Sequence, residues 1–136
     1  MTVEFPYEDG GKMYFGQIYR PVAKVSFYSP AFKMWTQTWM IVDTGADFSI
    51  LPRYLSKILS ISLEKDCVSD ATMGVGGEQK IYLCKKKVTA KIGDMTREVP
   101  LAFFANDEVP ALLGRCGFLE TFDTQFLKSH VVMFKG

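Results

Sequence analysis

Apolar residues of this chain fall in short runs separated by turn residues, and aromatic and β-branched side chains dominate the runs. Short runs of this composition, bounded by glycine, proline and small polar residues, are typical of β-strands. The pattern predicts an all-β domain. The strands are predicted at residues 13–20, 23–28, 36–42, 68–73, 79–84, 88–92, 97–104, 110–113 and 131–134.

Turns and helices follow from the residues between these runs. The segment Gly-Val-Gly-Gly at 74–77 and the segment Gly-Asp-Met at 93–95 each separate two predicted strands. Glycine adopts the backbone conformations that tight turns require, so both segments predict β-hairpins. Helix is predicted only as two short pieces, at 54–59 after Pro52 and around 117–121.

The composition is that of one globular domain spanning residues 1–136. With 136 residues, 48% of them apolar and 23% charged, the chain can bury a core without disulfide or metal support. Sixteen basic residues stand against 15 acidic ones, for a formal charge of +1. Domains that bind DNA or RNA usually carry a strong basic excess, so we expect no nucleic-acid partner.

Cysteine and histidine are too few and too scattered for a disulfide framework or a zinc site. Cys67, Cys84 and Cys116 are widely spaced, and His130 is the single histidine. The first ten residues carry acids and a proline where a secretory signal has a basic start and an apolar run. The apolar runs are also far shorter than the roughly 20 residues that span a bilayer. We therefore expect reduced thiols, a cytoplasmic location and no membrane span.

The segment 39–52, Trp-Met-Ile-Val-Asp-Thr-Gly-Ala-Asp-Phe-Ser-Ile-Leu-Pro, is the most informative part of the sequence. An apolar strand runs directly into Asp43, and Gly45 permits a tight turn with close approach of a ligand or of another backbone. Two interpretations stay open on these residues alone. The Asp43 carboxylate is either a reactive group at the mouth of a packed sheet, or it forms an Asx-type turn with nearby amides.

The segment resembles the active-site loop of the retropepsin-like aspartic proteases, single-lobe relatives of pepsin that work as homodimers. Its pattern is closer to cellular and prokaryotic members than to viral ones. Two further segments resemble family elements in the expected order. The segment 73–77 resembles the glycine-rich flap tip. The segment 110–115 resembles the apolar-apolar-Gly element, which passes beneath the active-site loop and precedes a short helix. The resemblance covers about residues 36–122 and leaves 1–20 unassigned.

This resemblance implies a fold and a reaction. The fold is an all-β, closed acid-protease barrel lobe with a flap hairpin and one or two short helices. The implied enzyme is an aspartic endopeptidase, a homodimer acting on an extended peptide or protein, with no metal and no cofactor. Two Asp43 carboxyls, one from each subunit, share a proton because both cannot ionise at close range. Together they activate a water for attack on the peptide bond.

The resemblance also assigns roles to residues. It gives catalytic roles to Asp43, Thr44 and Gly45, with the Thr44 hydroxyl bonding to the loop of the partner chain. It gives substrate contacts to Gly45, Ala46, Asp47, Gly74, Val75 and Gly76. It gives structural support of the site to Gly114 and Arg115, with Arg115 pairing with the Asp47 carboxylate.

The chain departs from the viral enzymes in its longer leader, in the residues after 122, and at Phe48, where viral members often have a small polar or acidic residue. In viral members the chain ends build much of the dimer interface, and that interface is not assigned here. Candidate pocket residues, each equally compatible with plain core, are Ile50, Leu51, Val75, Leu112 and Leu113. Two alternatives stay open: a non-catalytic dimeric peptide-binding module of the same fold, and an enzyme that processes its own precursor.

Overall fold

The protein is described by a computed structural model over residues 1–74 and 77–136, and its strands form three sheets. The predicted all-β class and the two short helices are confirmed. The strands are β1 Thr2–Pro6, β2 Glu8–Met13, β3 Gly16–Arg20, β4 Val22–Ser29, β5 Met34–Val42, β6 Ser49–Leu51, β7 Cys67–Gly74, β8 Gly77–Cys84, β9 Val88–Ile92, β10 Met95–Val99, β11 Leu101–Phe104, β12 Leu112–Leu113, β13 Asp123–Leu127 and β14 Val131–Lys135. The helices are α1 Tyr54–Ile58 and a 3-10 helix Leu119–Thr121.

The largest sheet has nine strands in the order β10-β9-β4-β5-β12-β6-β11-β8-β7. Its neighbours are antiparallel except at two pairs, β5 with β12 and β6 with β11, which are parallel. The order begins at β10 and ends at β7 within the described residues, so closure into a barrel stays a prediction. The short strand β12 lies between β5 and β6 at the centre of the sheet, and this arrangement positions the candidate site.

The core consists of side chains that alternate inward from the large sheet and meet residues from both helices and the C-terminal strand. Phe27, Phe103, Phe118 and Phe134 are each less than 2% exposed. Aromatic side chains bury more apolar area than any others, and so contribute most to the stability of a small domain. The 3-10 helix is thereby fixed against the sheet through Phe118, immediately before it.

Two predicted strands are wrong in extent. The segment 13–20 is not one strand: β2 and β3 form a hairpin whose turn falls at Tyr14 and Phe15, and Gly16 with φ +119° begins the return strand. The aromatic residues that suggested a strand lie at a turn instead. The segment 97–104 is interrupted at Pro100, which has no backbone N–H to donate to a sheet.

The sequence interpretation missed β1, β6, β13 and all of β2 except Met13. Strand β13 has a mainly polar composition, and β6 has only three residues, so neither gives a strong apolar alternation. Strand β14 pairs with β1 on one side and with β13 on the other, through registers such as Phe5↔Val132 and Phe126↔Val132. The leader that the resemblance left unassigned therefore begins with a strand of a three-stranded sheet built from both chain ends.

The cysteines are free thiols, as the sequence indicated. Cys67 is buried, and Cys84 and Cys116 are half-buried. Among the residues that the structure describes, no helix is long and apolar enough to cross a membrane.

Candidate active site

The central strands deliver Asp43 to one end of the large sheet. Asp43 follows β5 directly, and its N–H donates to the Leu113 carbonyl of β12 at 3.0 Å. The Ile41 N–H donates to the Ala111 carbonyl at 2.9 Å, so the two strands stay paired up to the point where the loop begins. The carboxylate consequently lies at the carboxyl end of a parallel strand pair.

The Asp43 side chain is half-buried and organised by its own loop. Its Oδ1 accepts the Gly45 N–H at 2.9 Å, and its carbonyl accepts the Ala46 N–H at 3.2 Å. This is the Asx-type turn that the sequence left open. The turn does not exclude a reactive carboxylate, because it engages one carboxylate oxygen and holds the group in a fixed orientation.

Gly114 brings the end of β12 into backbone contact with the loop. A Cβ at this position would lie 2.2 Å from the Phe48 carbonyl oxygen and 2.4 Å from its carbonyl carbon. The Gly114 N–H donates to Ser49 Oγ at 3.0 Å, and Ser49 is fully buried. Only glycine fits such an approach, so the loop rests directly on the backbone beneath it.

Arg115 ties the far side of the loop to the 3-10 helix. Its N–H donates to the Ala46 carbonyl at 3.0 Å, and the Cys116 N–H donates to the Asp47 carbonyl at 2.8 Å. The Arg115 guanidinium forms the expected ion pair with the Asp47 carboxylate. The two side chains are 44% and 69% exposed, so the pair contributes at most about 1 kcal/mol to stability and mainly orients the loop.

A pocket of about 430 Å³ separates this loop from the β7–β8 hairpin. Residues of the loop, of the hairpin and of an apolar wall line it. The lining residues are Asp43, Gly45, Ala46 and Asp47 from the loop, Thr72, Met73, Gly77 and Gln79 from the hairpin, and Phe48, Ile50, Phe104, Val109 and Leu112 from the wall.

Not all the residues singled out in the sequence line this pocket. Thr44 is exposed beside it, and Leu51 and Leu113 are fully buried in the core. Gly74 ends β7 and pairs with Gly77 across the hairpin, which confirms the hairpin itself. The predicted flap contacts of the two residues between them, Val75 and Gly76, lie outside the described residues.

The sequence interpretation missed Thr72, Gln79, Phe104 and Val109. Thr72 and Gln79 are opposite each other in the β7–β8 register, so strand alternation from the paired glycines could have found them. Phe104 and Val109 come from a distant part of the chain. No local motif marks them, because their segment reaches the site through the pairing of β11 with β6 on one side and with β8 on the other.

We compared the chain with known protein families and solved structures. A family model described as aspartyl protease matches residues 36–115, which include the Asp43 loop, both hairpin strands and Arg115. The chain belongs to the aspartyl protease family. A solved retropepsin-like aspartic protease from Rickettsia conorii is similar to this aspartyl protease chain over 98% of each chain, with a TM-score of 0.64 and 16% sequence identity. That likeness shows the retropepsin-like fold. A search of curated proteins gave no match.

Proposed function

We propose that this member of the aspartyl protease family is an endopeptidase whose active site forms between two copies of the chain. Each copy would contribute one Asp43. The observation that carries the proposal is the position of the Asp43 carboxylate, half-buried at a strand end and lining a pocket that residues of the β7–β8 hairpin also line.

A second carboxylate is needed because one carboxylate cannot act as base and acid at the same time. The other acid that lines the described pocket is Asp47, and its carboxylate is engaged by the Arg115 guanidinium. The missing acid therefore comes from Asp43 of a second copy, related by a two-fold axis that passes between the two carboxyls.

The reaction follows from this pairing. Two carboxyls at close range share one proton, since both cannot be ionised together. The ionised member takes a proton from a bound water, and the resulting nucleophile attacks the peptide carbonyl carbon. The protonated member first hydrogen-bonds the carbonyl oxygen, and a proton then passes to the leaving nitrogen as the C–N bond breaks. No covalent bond forms between substrate and protein.

Neighbouring residues take supporting roles in this proposal. The exposed Thr44 hydroxyl bonds to the loop of the second copy and holds the carboxyls in one plane. The Gly45 carbonyl and the Asp47 side chain contact the substrate main chain, which passes over the small Ala46. Gly74, Val75 and Gly76 contact it from the flap. Gly114 and Arg115 hold the loop from behind.

The open edge of the three-stranded sheet supports the homodimer. Strand β13 follows the 3-10 helix that holds the active-site loop, and within residues 1–74 and 77–136 it pairs only with β14. Its Phe126 is 44% exposed. An edge strand presents unpaired N–H and C=O groups, and a second copy can pair with them.

The pocket supports an extended peptide as substrate. A chain that lies between the loop and the hairpin can exchange main-chain hydrogen bonds with both, and its alternate side chains enter pockets. The wall of Phe48, Ile50 and Val109 is apolar, so we expect cleavage next to large apolar side chains.

Cleavage of a diverse peptide mixture between pH 4 and 7 tests the proposal. Wild type is compared with Asp43→Asn, with and without a statine-type inhibitor, and products are read by mass spectrometry. Cuts that vanish in both the variant and the inhibited sample are expected. If a folded, dimeric wild type makes no cuts, the proposal is wrong, and peptide affinity that Asp43→Asn leaves unchanged would indicate a non-catalytic binding module.

A further inference from the structure

The β2–β3 hairpin, residues 8–20, projects from the domain and is called the arm below. Its strands form a two-stranded sheet that is separate from the other two sheets in the described part of the chain. Met13, Tyr14 and Phe15 at its tip are 61%, 95% and 97% exposed, and the two rings meet edge to face at 5.3 Å. An aromatic pair left uncovered by its own chain is typical of an interaction surface.

The root of the arm is fixed close to the candidate active site. The Pro21 carbonyl, one residue after β3, accepts the Val42 N–H at 2.9 Å, and Val42 immediately precedes Asp43. The arm therefore begins beside the strand that delivers the candidate catalytic carboxylate.

The root also contacts the turn between β13 and β14. The Tyr19 ring stacks on His130 with centroids 4.2 Å apart, and the Tyr7 N–H donates to the His130 carbonyl at 2.9 Å. The arm is thus anchored both at the active-site strand and at the sheet that has β13 as one of its two edge strands.

The position of the root sets what the tip can reach. A two-fold axis that relates two neighbouring Asp43 carboxyls passes near Val42, because Val42 immediately precedes Asp43. The axis therefore also passes near the root of each arm. A strand of six residues spans roughly 20 Å. An arm of that length with its root beside the axis is long enough to reach a second copy.

We propose that the arm is a dimerisation arm whose aromatic tip packs on a second copy of this chain. The inference rests on the homodimer of the proposed function and adds the contact that holds it together. Two-fold symmetry makes the exchange reciprocal, so that each copy both gives an arm and receives one.

A groove on the outer face of β5 fits the tip. It has a volume of about 370 Å³, and it is lined in part by Trp39, Tyr54 and Pro110. Trp39 and Tyr54 are 54% and 50% exposed. Trp39 lies four residues before Asp43, which is about 13 Å along the strand. The groove is therefore within the span of an arm that starts at the axis.

Charge next to the tip of the arm also complements this groove. Lys12 is exposed next to the tip, whereas the groove includes Asp107 and Glu108. An aromatic anchor with a cationic neighbour, received by aromatic residues with acidic neighbours, is the complementarity expected of a specific protein interface.

Sedimentation equilibrium of the full chain tests the arm. The variant Tyr14→Ser/Phe15→Ser removes the aromatic tip. Phe32→Ser/Met34→Ser is the matched control, because these residues are 54% and 62% exposed in and next to the β4–β5 turn. We expect the tip variant to raise the dimer dissociation constant at least tenfold, and the control to leave it within about twofold. Circular dichroism melts verify that both variants fold.

Peptide cleavage, measured in parallel, separates the two proposals. The tip variant should lose activity at low protein concentration and regain it as concentration exceeds its own dissociation constant. If wild type is active and dimeric and the tip variant has the same dissociation constant, the arm proposal is wrong and the proposed function is unaffected. A wild type that is monomeric and inactive overturns both.

Photo-cross-linking identifies what the tip touches without requiring a weakened dimer. A benzoylphenylalanine replaces Tyr14, and protein grown on ¹⁴N is mixed with protein grown on ¹⁵N before irradiation. We expect cross-linked peptide pairs in which one peptide carries ¹⁴N and the other carries ¹⁵N. Pairs that never mix the labels would show that the tip contacts its own chain, and the proposal would be wrong.

Discussion

Gly114 is the residue at which the strand beneath the site meets the loop that carries Asp43. The position demands glycine through space rather than through a left-handed backbone, since the obstruction is the Phe48 backbone. Backbone cannot move aside as the end of a flexible side chain can. The geometry of the Asp43 loop therefore depends on the absence of a Cβ at position 114.

Gly114→Ala should destabilise the protein by about 1–3 kcal/mol, because the added methyl group forces the loop away from β12. Urea unfolding measures the change. Gly10→Ala is the matched control, since a Cβ there meets side chains rather than backbone: the guanidinium end of Arg20, which can swing away, and Ile18 Cγ2 at 3.1 Å. A loss for Gly10→Ala equal to that for Gly114→Ala would contradict this explanation.

Asp47→Asn should separate stability from activity. The ion pair with Arg115 is exposed, so its loss should lower the free energy of unfolding by less than about 1 kcal/mol. The proposed contact with the substrate main chain should nevertheless be weakened, and KM should rise more than kcat falls. Steady-state kinetics beside urea unfolding measures both quantities. Unchanged kinetics would remove Asp47 from the substrate site.

Single residues were predictable where a short segment carries them together. The segment from Asp43 to Asp47 and the distant Arg115 could be identified because each lies in a recognisable pattern. Phe104 and Val109 could not, because their place in the pocket depends on how β11 pairs with β6 and β8. The tertiary pairing of short strands leaves little trace in local sequence.

At the scale of elements, the β7–β8 hairpin is closed at its base by a facing cysteine pair. Cys67 and Cys84 are direct partners across the strands, with sulfur atoms 3.9 Å apart. Burial raises the pKa of both thiols, and the neighbouring Cys67 thiol raises that of Cys84 further. Both groups therefore remain protonated in the folded hairpin under conditions where an unfolded chain ionises.

Stability should consequently fall as the pH rises above about 8.5, where unfolded cysteine begins to lose its proton. The raised pKa in the folded state means that this stabilisation is complete below the unfolded value and is lost above it. Urea midpoints at pH 7.5, 9 and 10 measure the decline. Cys67→Ala/Cys84→Ala should flatten it relative to wild type, and an equally steep decline in that variant would exclude the thiols as the cause.

Elements with strong apolar character were predictable, among them β14 at the end of the chain, whereas β1, β6 and β13 were not. The bounds of β9 match their prediction, and β4 and β5 lie close to theirs. Residues 13–20 of the arm were wrongly predicted as one strand, because Tyr14 and Phe15 occur commonly inside strands and rarely at an exposed turn. Aromatic residues at an exposed turn go against the usual preference of turns for small polar residues and glycine. Such departures from local preference are expected at functional surfaces.

At the scale of the whole molecule, the proposed function makes this chain one half of an active site. The large sheet fixes the Asp43 loop, the three-stranded sheet leaves β13 with an open edge, and the arm starts beside the same point. A second copy would complete the pair of carboxyls and cover the exposed tip. Sequence alone could indicate the need for this partner through the resemblance, but the contact surfaces depend on the fold.

Activity in mixtures of wild type with Asp43→Asn tests the central claim most directly, because the substitution keeps the side-chain volume and leaves the dimer surfaces intact. The variant is added in tenfold excess, at a protein concentration above the dimer dissociation constant, so that the copies pair at random. If one Asp43 from each copy is required, the activity of the wild type should fall to about one-tenth. The same excess of an unrelated protein should have no effect. Activity that is unaffected by the variant would contradict the account, since each chain would then carry a complete site.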